Sequence, residues 1–245
     1  MILSIRNSAG SIYAPPSKIP LFTKVSQPEI IAEMRQILYH YRSQGESMII
    51  GICGLIGSGK GTVADMLVDQ HGFEKLSFAD SLKDAVAAVF GWPRHLLEGD
   101  TDESRSWREQ KDHWWADRLD MPNLTPRWVL QWWGTEVCRR GFHDDIWVAS
   151  IESKLRDRTK NYVIPDTRFP NEIDMIARSG GTVWWVRRGD DPEWFQQYKL
   201  NDITPQGIHP SEWAWARSQF NLIIDNNDSI ETLRTKVDDA VTSVK

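Results

Sequence analysis

The sequence predicts an α/β fold with helices layered on a mostly parallel β-sheet, and three observations carry that reading. Short apolar runs rich in β-branched residues occur at 48–53, 162–164 and 182–186, which is the character of strands buried on both faces. Segments with helical spacing separate them, and strands alternating with helices favour parallel pairing through crossovers. The first strand runs into a glycine-rich turn that opens a helix.

Taken in order, residues 1–47 read as an N-terminal extension. Ser26-Gln27-Pro28-Glu29 has the form of a capping box, and Ile30, Met34, Ile37, Leu38 and Tyr41 follow at helical spacing. An amphipathic helix over 28–43 is predicted, ending near Gly45, suited either to docking on the main domain or to forming a homodimer. The main domain is 48–245. Its first strand, 48–53, leads through the turn into a helix carrying Val63, Met66 and Leu67. Residues 73–78 are a further strand candidate, and 81–90 form a helix rich in Ala and Val. Residues 91–125 hold few aliphatics and many charges, so they read as an inserted segment. Thr125-Pro126 starts another helix, cap residue followed by proline at the first helical position. Strands at 162–164 and 182–186 flank a helix near 171–179, a last strand covers 221–224, and Ser229 caps a C-terminal helix.

Composition bounds the function. The 245 residues carry Lys+Arg 29 against Asp+Glu 34, a net charge of −5, so the chain is not built to hold nucleic acid through bulk positive charge. Any phosphate must be held by a local cluster of donors. Two cysteines, Cys53 and Cys138, are too few for a disulfide framework and lack metal-ligand spacing. Met1–Ser8 lacks the basic and apolar regions of a secretory signal, and no run approaches the roughly 18 apolar residues of a membrane helix. The expectation is a cytoplasmic protein without membrane partners. Tryptophan is the unusual entry: eight of the 13 fall between Trp92 and Trp147, so the surplus is regional.

Gly54-Leu55-Ile56-Gly57-Ser58-Gly59-Lys60-Gly61-Thr62 is the most informative stretch. It follows a strand and opens a helix, the context a phosphate-binding loop requires. Its glycines permit a nest of backbone N–H groups around phosphate oxygens, the helix dipole adds to it, and Lys60 supplies a mobile positive charge. Gly61 intervenes before Thr62, so the ending departs from the strict phosphate-loop form. Thr62 is the candidate Mg²⁺ ligand, directly or through water. In the run 162–166, Asp166 sits at the carboxyl end of a core strand, where α/β folds bind ligands. Arg168 follows, suited to clamping a phosphate or, alternatively, to pairing with Glu172 in a loop salt bridge. Asn226, after the last strand, is a candidate adenine contact or an ordinary turn residue. Thr235-Lys236-Val237-Asp238 matches a guanine-specificity motif superficially, but Val237 belongs to the apolar face of a helix, so a GTPase is rejected.

Several ordered segments together resemble the bacteriophage deoxynucleoside monophosphate kinases: residues 54–62, 78–85, 130–136, 145–148, 164–168 with Glu172 and Asp174, and His209-Pro210-Ser211-Glu212. The resemblance runs over roughly 49–245 and excludes the N-terminal extension. It implies a P-loop NTPase three-layer fold and ATP-dependent, Mg²⁺-assisted phosphorylation of small-molecule deoxynucleoside monophosphates in the bacterial host cell. It also implies that Gly54, Gly57, Ser58, Gly59, Lys60, Gly61 and Thr62 hold the ATP phosphates. Lys83, Arg127, Gly134, Thr135, Trp147, Asp166, Arg168 and Glu172 would line the monophosphate site, with Lys60, Arg127, Asp166 and Arg168 carrying the transfer. Arg94, Arg105, Arg108 and Arg118 are candidates for a lid over ATP, the alternative being a solvated charged loop. Trp132 or Trp133 is a candidate base-stacking platform, against core packing. Two other functions compete: a kinase acting on a hydroxymethylated pyrimidine, free or in DNA, and a non-catalytic nucleotide-binding regulator.

Overall fold

The computed structural model describes residues 47–242. The predicted helix over 28–43 lies outside the described residues. Five strands form one sheet: β1 (Ile49–Cys53), β2 (Glu74–Lys75), β3 (Tyr162–Ile164), β4 (Thr182–Arg187) and β5 (Leu222–Asp225). Their spatial order is β2-β3-β1-β4-β5, and every pairing is parallel. The predicted strand over 73–78 shrinks to two exposed residues, because β2 is an edge strand paired with β3 alone.

The period-2 alternation of a strand sends successive side chains to opposite faces, and β1 shows why both must be apolar. Ile50 and Ile52 join one buried cluster with Val63, Ala64 and Leu67 of α1 (Lys60–His71) and Leu233 and Val237 of α9 (Ile230–Thr242). Ile49 and Cys53 join a second cluster on the other face. There they meet Leu82 and Val86 of α2 (Asp80–Phe90), Val129 of α5 (Pro126–Trp132) and Val148 and Ile151 of α6 (Ile146–Lys154). Ile173 and Ile176 of α7 (Pro170–Arg178) and Phe195 of α8 (Glu193–Asn201) complete it. Helices on both faces of a parallel sheet make the three layers the sequence predicts. Val237 is fully buried in α9, so the superficial guanine motif is packing.

The segment 91–125 folds as a 3₁₀ turn (Arg94–Leu97) followed by α3 (Asp102–Glu109) and α4 (His113–Arg118). It is not a solvated loop: Trp92, Leu97, Ala116 and Leu124 are buried in the second cluster. Capping residues set its helices, with Thr101 accepting from Ser104 N–H and Asp112 from Trp115 N–H. The predicted cap at Thr125 accepts from Trp128 N–H at 3.1 Å. Helix α5 passes directly into a π-helical segment (Trp133–Arg140), a geometry that concentrates at functional sites.

The tryptophan surplus divides accordingly. Trp92 stacks on Phe90 with centroids 4.3 Å apart, and Trp115 and Trp133 also pack against Phe90. Of the adjacent pair, Trp133 faces the core, whereas Trp132 is exposed and stacks at 5.5 Å on Trp128. Trp147 is buried and donates Nε1–H to Gly134 O at 2.9 Å.

Candidate active site

Parallel pairing brings the carboxyl ends of all five strands to one edge of the sheet. Strand β1 lies between β3 and β4, both later in the chain, so the crossovers diverge there and leave a crevice. The phosphate loop (residues 54–62) emerges from β1, Asp166 and Arg168 from β3, and Asn226 from β5.

The loop's glycines are required by geometry. Gly59 has φ +98°, a left-handed conformation that caps α1 at little steric cost only for glycine. A side chain at Gly54 would fall on Val186 O and within 2.6 Å of Ser58 Oγ. Lys60 Nζ donates to Gly54 O and Leu55 O, both at 2.8 Å, and so spans the loop from which it grows. Burial, and then the neighbouring positive charge of Arg168, lower the Lys60 amine to about 8. Thr62 lies exposed in the first turn of α1. Asn226 donates Nδ2–H to Ser58 O at 2.9 Å. Its amide thus braces the phosphate loop from the end of β5, an assignment that neither of its sequence-based readings contained.

Asp166 is equally committed. One carboxylate oxygen accepts the Phe78 N–H at 3.1 Å; the other accepts Ser77 Oγ–H at 2.6 Å and Ala79 N–H at 3.1 Å. It fastens the turn before α2 to the end of β3. The expected pairing of Arg168 with Glu172 takes a different form. Glu172 accepts the Arg168 backbone N–H at 2.7 Å, while the Arg168 guanidinium donates to Glu212 at 2.8 Å. Glu172 is itself buried against Arg139. Nothing in the sequence marked Arg139 beyond its place in a motif-bearing helix.

On the acceptor side Arg127, at the start of α5, pairs with Glu109 at 3.1 Å. Arg108 belongs to the same group: burial, then the like charges of Arg127 and then Arg168, lower its guanidinium. Its Nε is buried without a partner, and its Nη1 donates a long hydrogen bond, 3.5 Å, to Leu97 O. Arg108 is a candidate lid arginine on which the charges of Arg127 and Arg168 act, its guanidinium lying over Gly99. Arg94 binds Asp84 and Glu98, and Arg105 binds Asp102. Lys83 is mostly buried and donates to Glu98 at 2.6 Å, which ties α2 to the 3₁₀ turn. Gly134 packs against Leu82, and Thr135 Oγ1 lies 3.4 Å from His209 Nε2.

A family model for deoxynucleotide monophosphate kinase matches residues 118–237. A protein of Acanthamoeba polyphaga mimivirus named "Putative deoxynucleotide monophosphate kinase" is 31% identical over 204 residues, covering 78% of this chain and 94% of the relative. The chain belongs to the deoxynucleotide monophosphate kinase family. It is a phosphotransferase, and nucleotides are its substrates. The deoxynucleoside-5'-monophosphate kinase of Escherichia phage T5 is 25% identical over 182 residues, covering 54% of this chain and 73% of that protein. Among solved structures, a dephospho-CoA kinase from Campylobacter jejuni is a looser likeness, with a TM-score of 0.42 at 13% identity over 81% of this chain and 98% of its own.

The part of the kinase matched by the family model contains Arg127, Arg139, Asp166, Arg168, Glu172, His209 and Glu212. Among the described residues no cluster of His, Cys, Asp or Glu is arranged to hold a metal ion, and no helix is long and apolar enough to cross a membrane.

Proposed function

We propose that the crevice transfers the γ-phosphoryl group of ATP to the 5′-phosphate of a deoxynucleoside monophosphate, releasing ADP and a diphosphate. One observation carries the reading: Lys60 from the loop after β1 and Arg168 from the loop after β3 lie close enough for each charge to act on the other. Glu212 and Asp166 balance these two cations in part, and a phosphoryl group passing between two phosphates adds the further anionic charge that a pair of neighbouring cations favours.

The division of labour follows the geometry. Backbone N–H groups of Gly54, Gly57, Ser58, Gly59 and Gly61 surround the ATP phosphates, and Lys60 neutralises charge on the transferring group. Arg127 and Arg168 grip the acceptor phosphate, with Arg108 behind them. A phosphate oxygen is already an anion at neutral pH, so the chemistry needs positioning and charge rather than a general base. Asp166, with three donors on its carboxylate, acts by holding the turn at 77–79. Lys83, Gly134, Trp147 and Glu172 shape the acceptor wall from within the packing. Mg²⁺, when bound, would supply charge neutralisation on the ATP phosphates. The protein donor suited to it is the Thr62 hydroxyl, so most of its ligands would be phosphate oxygens and water. The reaction belongs to the cytoplasm of the host cell, where ATP and free nucleotides are available.

Coupled measurement of ADP release with dTMP, dGMP and dCMP tests the assignment. Stimulation by at least one of them is expected. Release stimulated only by DNA containing hydroxymethylated pyrimidine would move the acceptor to a polymer, and no stimulation by any acceptor would leave a nucleotide-binding regulator.

A further inference from the structure

A carboxylate in a crevice built for phosphate repels the ligand, so the place of Glu212 needs a reason. Its side chain is mostly buried, and its Oε1 lies 2.8 Å from Arg168 Nη1. Glu212 ends a 3₁₀ turn (Pro210–Glu212) whose start is fixed by His209. The His209 Nδ1 accepts the Ser211 N–H at 3.3 Å and faces Ser211 Oγ at 2.9 Å. That leaves Nε2 to donate to Thr135 Oγ1, 3.4 Å away on the π-helical segment. The backbone of Arg168 is held separately, through its N–H to Glu172. Arg168 is thus anchored at both ends by two carboxylates from different parts of the chain.

We infer that Glu212 is a positioning residue, which holds one edge of the Arg168 guanidinium so that its remaining N–H groups are presented to the acceptor phosphate, while His209 ties this bracket to Thr135. The inference rests on the reading that Arg168 grips that phosphate. Bidentate recognition of phosphate requires a guanidinium plane fixed before the ligand arrives. An arginine left free to turn must lose its rotamer freedom on binding, and affinity falls by that cost. The repulsion between Glu212 and the phosphate is offset because Arg168, Arg127 and Arg108 outnumber Glu212 and Glu109.

Steady-state kinetics with dTMP, dGMP and dCMP varied in turn at saturating ATP, and with ATP varied at saturating acceptor, test this. Glu212→Ala and Glu212→Asp are each expected to raise the acceptor KM about tenfold or more, the shorter carboxylate no longer reaching, with the KM for ATP changed less than about twofold. Glu212→Gln, which keeps an oxygen at the same reach, is expected to restore the acceptor KM to within about threefold of wild type. In an Arg168→Ala background, Glu212→Ala should add less than about twofold, since its partner is already gone. A merely structural Glu212 would raise both KM values together, or would act additively with Arg168→Ala, and either result overturns the inference. So does an unchanged acceptor KM in Glu212→Asp. If Glu212→Ala does not fold, the contrast between Glu212→Asp and Glu212→Gln decides. An unchanged acceptor KM in Arg168→Ala alone overturns the reading of Arg168 and the inference with it, whereas an impaired Arg168→Ala beside a normal Glu212→Asp overturns the inference only.

Discussion

Arg139 and Glu172 form a buried ion pair beneath the crevice, and the same carboxylate accepts the backbone N–H groups of Arg168 at 2.7 Å and Phe169 at 3.1 Å. One acidic side chain thereby locks the start of α7, the Arg168 loop and the π-helical segment together. Removing Arg139 would strand a buried carboxylate. Arg139→Met is expected to cost about 3–5 kcal/mol, lowering the melting temperature by roughly 10 °C. Differential scanning calorimetry measures this directly.

The charge of Glu172 is a separate question from its hydrogen bonds. Burial pushes its carboxyl up from 4.5 to about 7, with Arg139 opposing. A carboxyl raised in the folded state contributes stability that is fully present below the unfolded value and is lost as pH rises through about 7. Glu172→Gln keeps an acceptor for both backbone donors and removes the titration. Its stability is therefore expected to be less destabilised than Arg139→Met and flatter than wild type between pH 5 and 8. Urea unfolding across that range would contradict the assignment if the two slopes were the same.

Lys60→Ala removes the loop's mobile charge and leaves the fold alone, because Nζ bonds only carbonyls of its own loop. Turnover is expected to fall by about 10²–10³-fold, with a melting temperature within a few degrees of wild type. Wild-type turnover in this variant would remove the phosphate-loop assignment.

Two glycines of the loop differ in a testable way. At Gly54 an added methyl meets Val186 O and Ser58 Oγ, whereas at Gly61 nothing lies within 4 Å. Gly54→Ala is expected to cost about 1–3 kcal/mol through overpacking and to raise the KM for ATP. Gly61→Ala, inside α1, should be neutral or stabilising by about 0.5–1 kcal/mol. Denaturant titration of the two variants distinguishes them.

Burial, and secondarily Glu172, push the Cys53 thiol far above its ordinary value, while Cys138 is only half-buried. A thiol reagent at neutral pH is expected to label Cys138 alone in the native protein and both cysteines in denaturant. Rapid native labelling of Cys53 would contradict its place in β1.

By itself the sequence determined the parallel α/β layering, the phosphate loop, the cap at Thr125 and the family resemblance. These features are written in neighbouring residues: alternation along a strand, glycines where φ is positive, a cap three residues before the N–H that it accepts. It also located Asp166 and Arg168 at the carboxyl end of a core strand. What it did not contain is what those side chains hold. Asp166 reaches Ser77, Asn226 reaches Ser58, Arg139 reaches Glu172, and Arg168 reaches Glu212 rather than the nearer Glu172. Such pairings span tens to more than a hundred positions, so local spacing carries no trace of them. The sheet order and the packing of helices on its faces bring the partners together, and burial makes each pairing obligatory, because an unpaired charge there would be too costly to keep. The same packing placed most tryptophans in or against the core while leaving Trp114, Trp128 and Trp132 exposed, the last two stacked on each other.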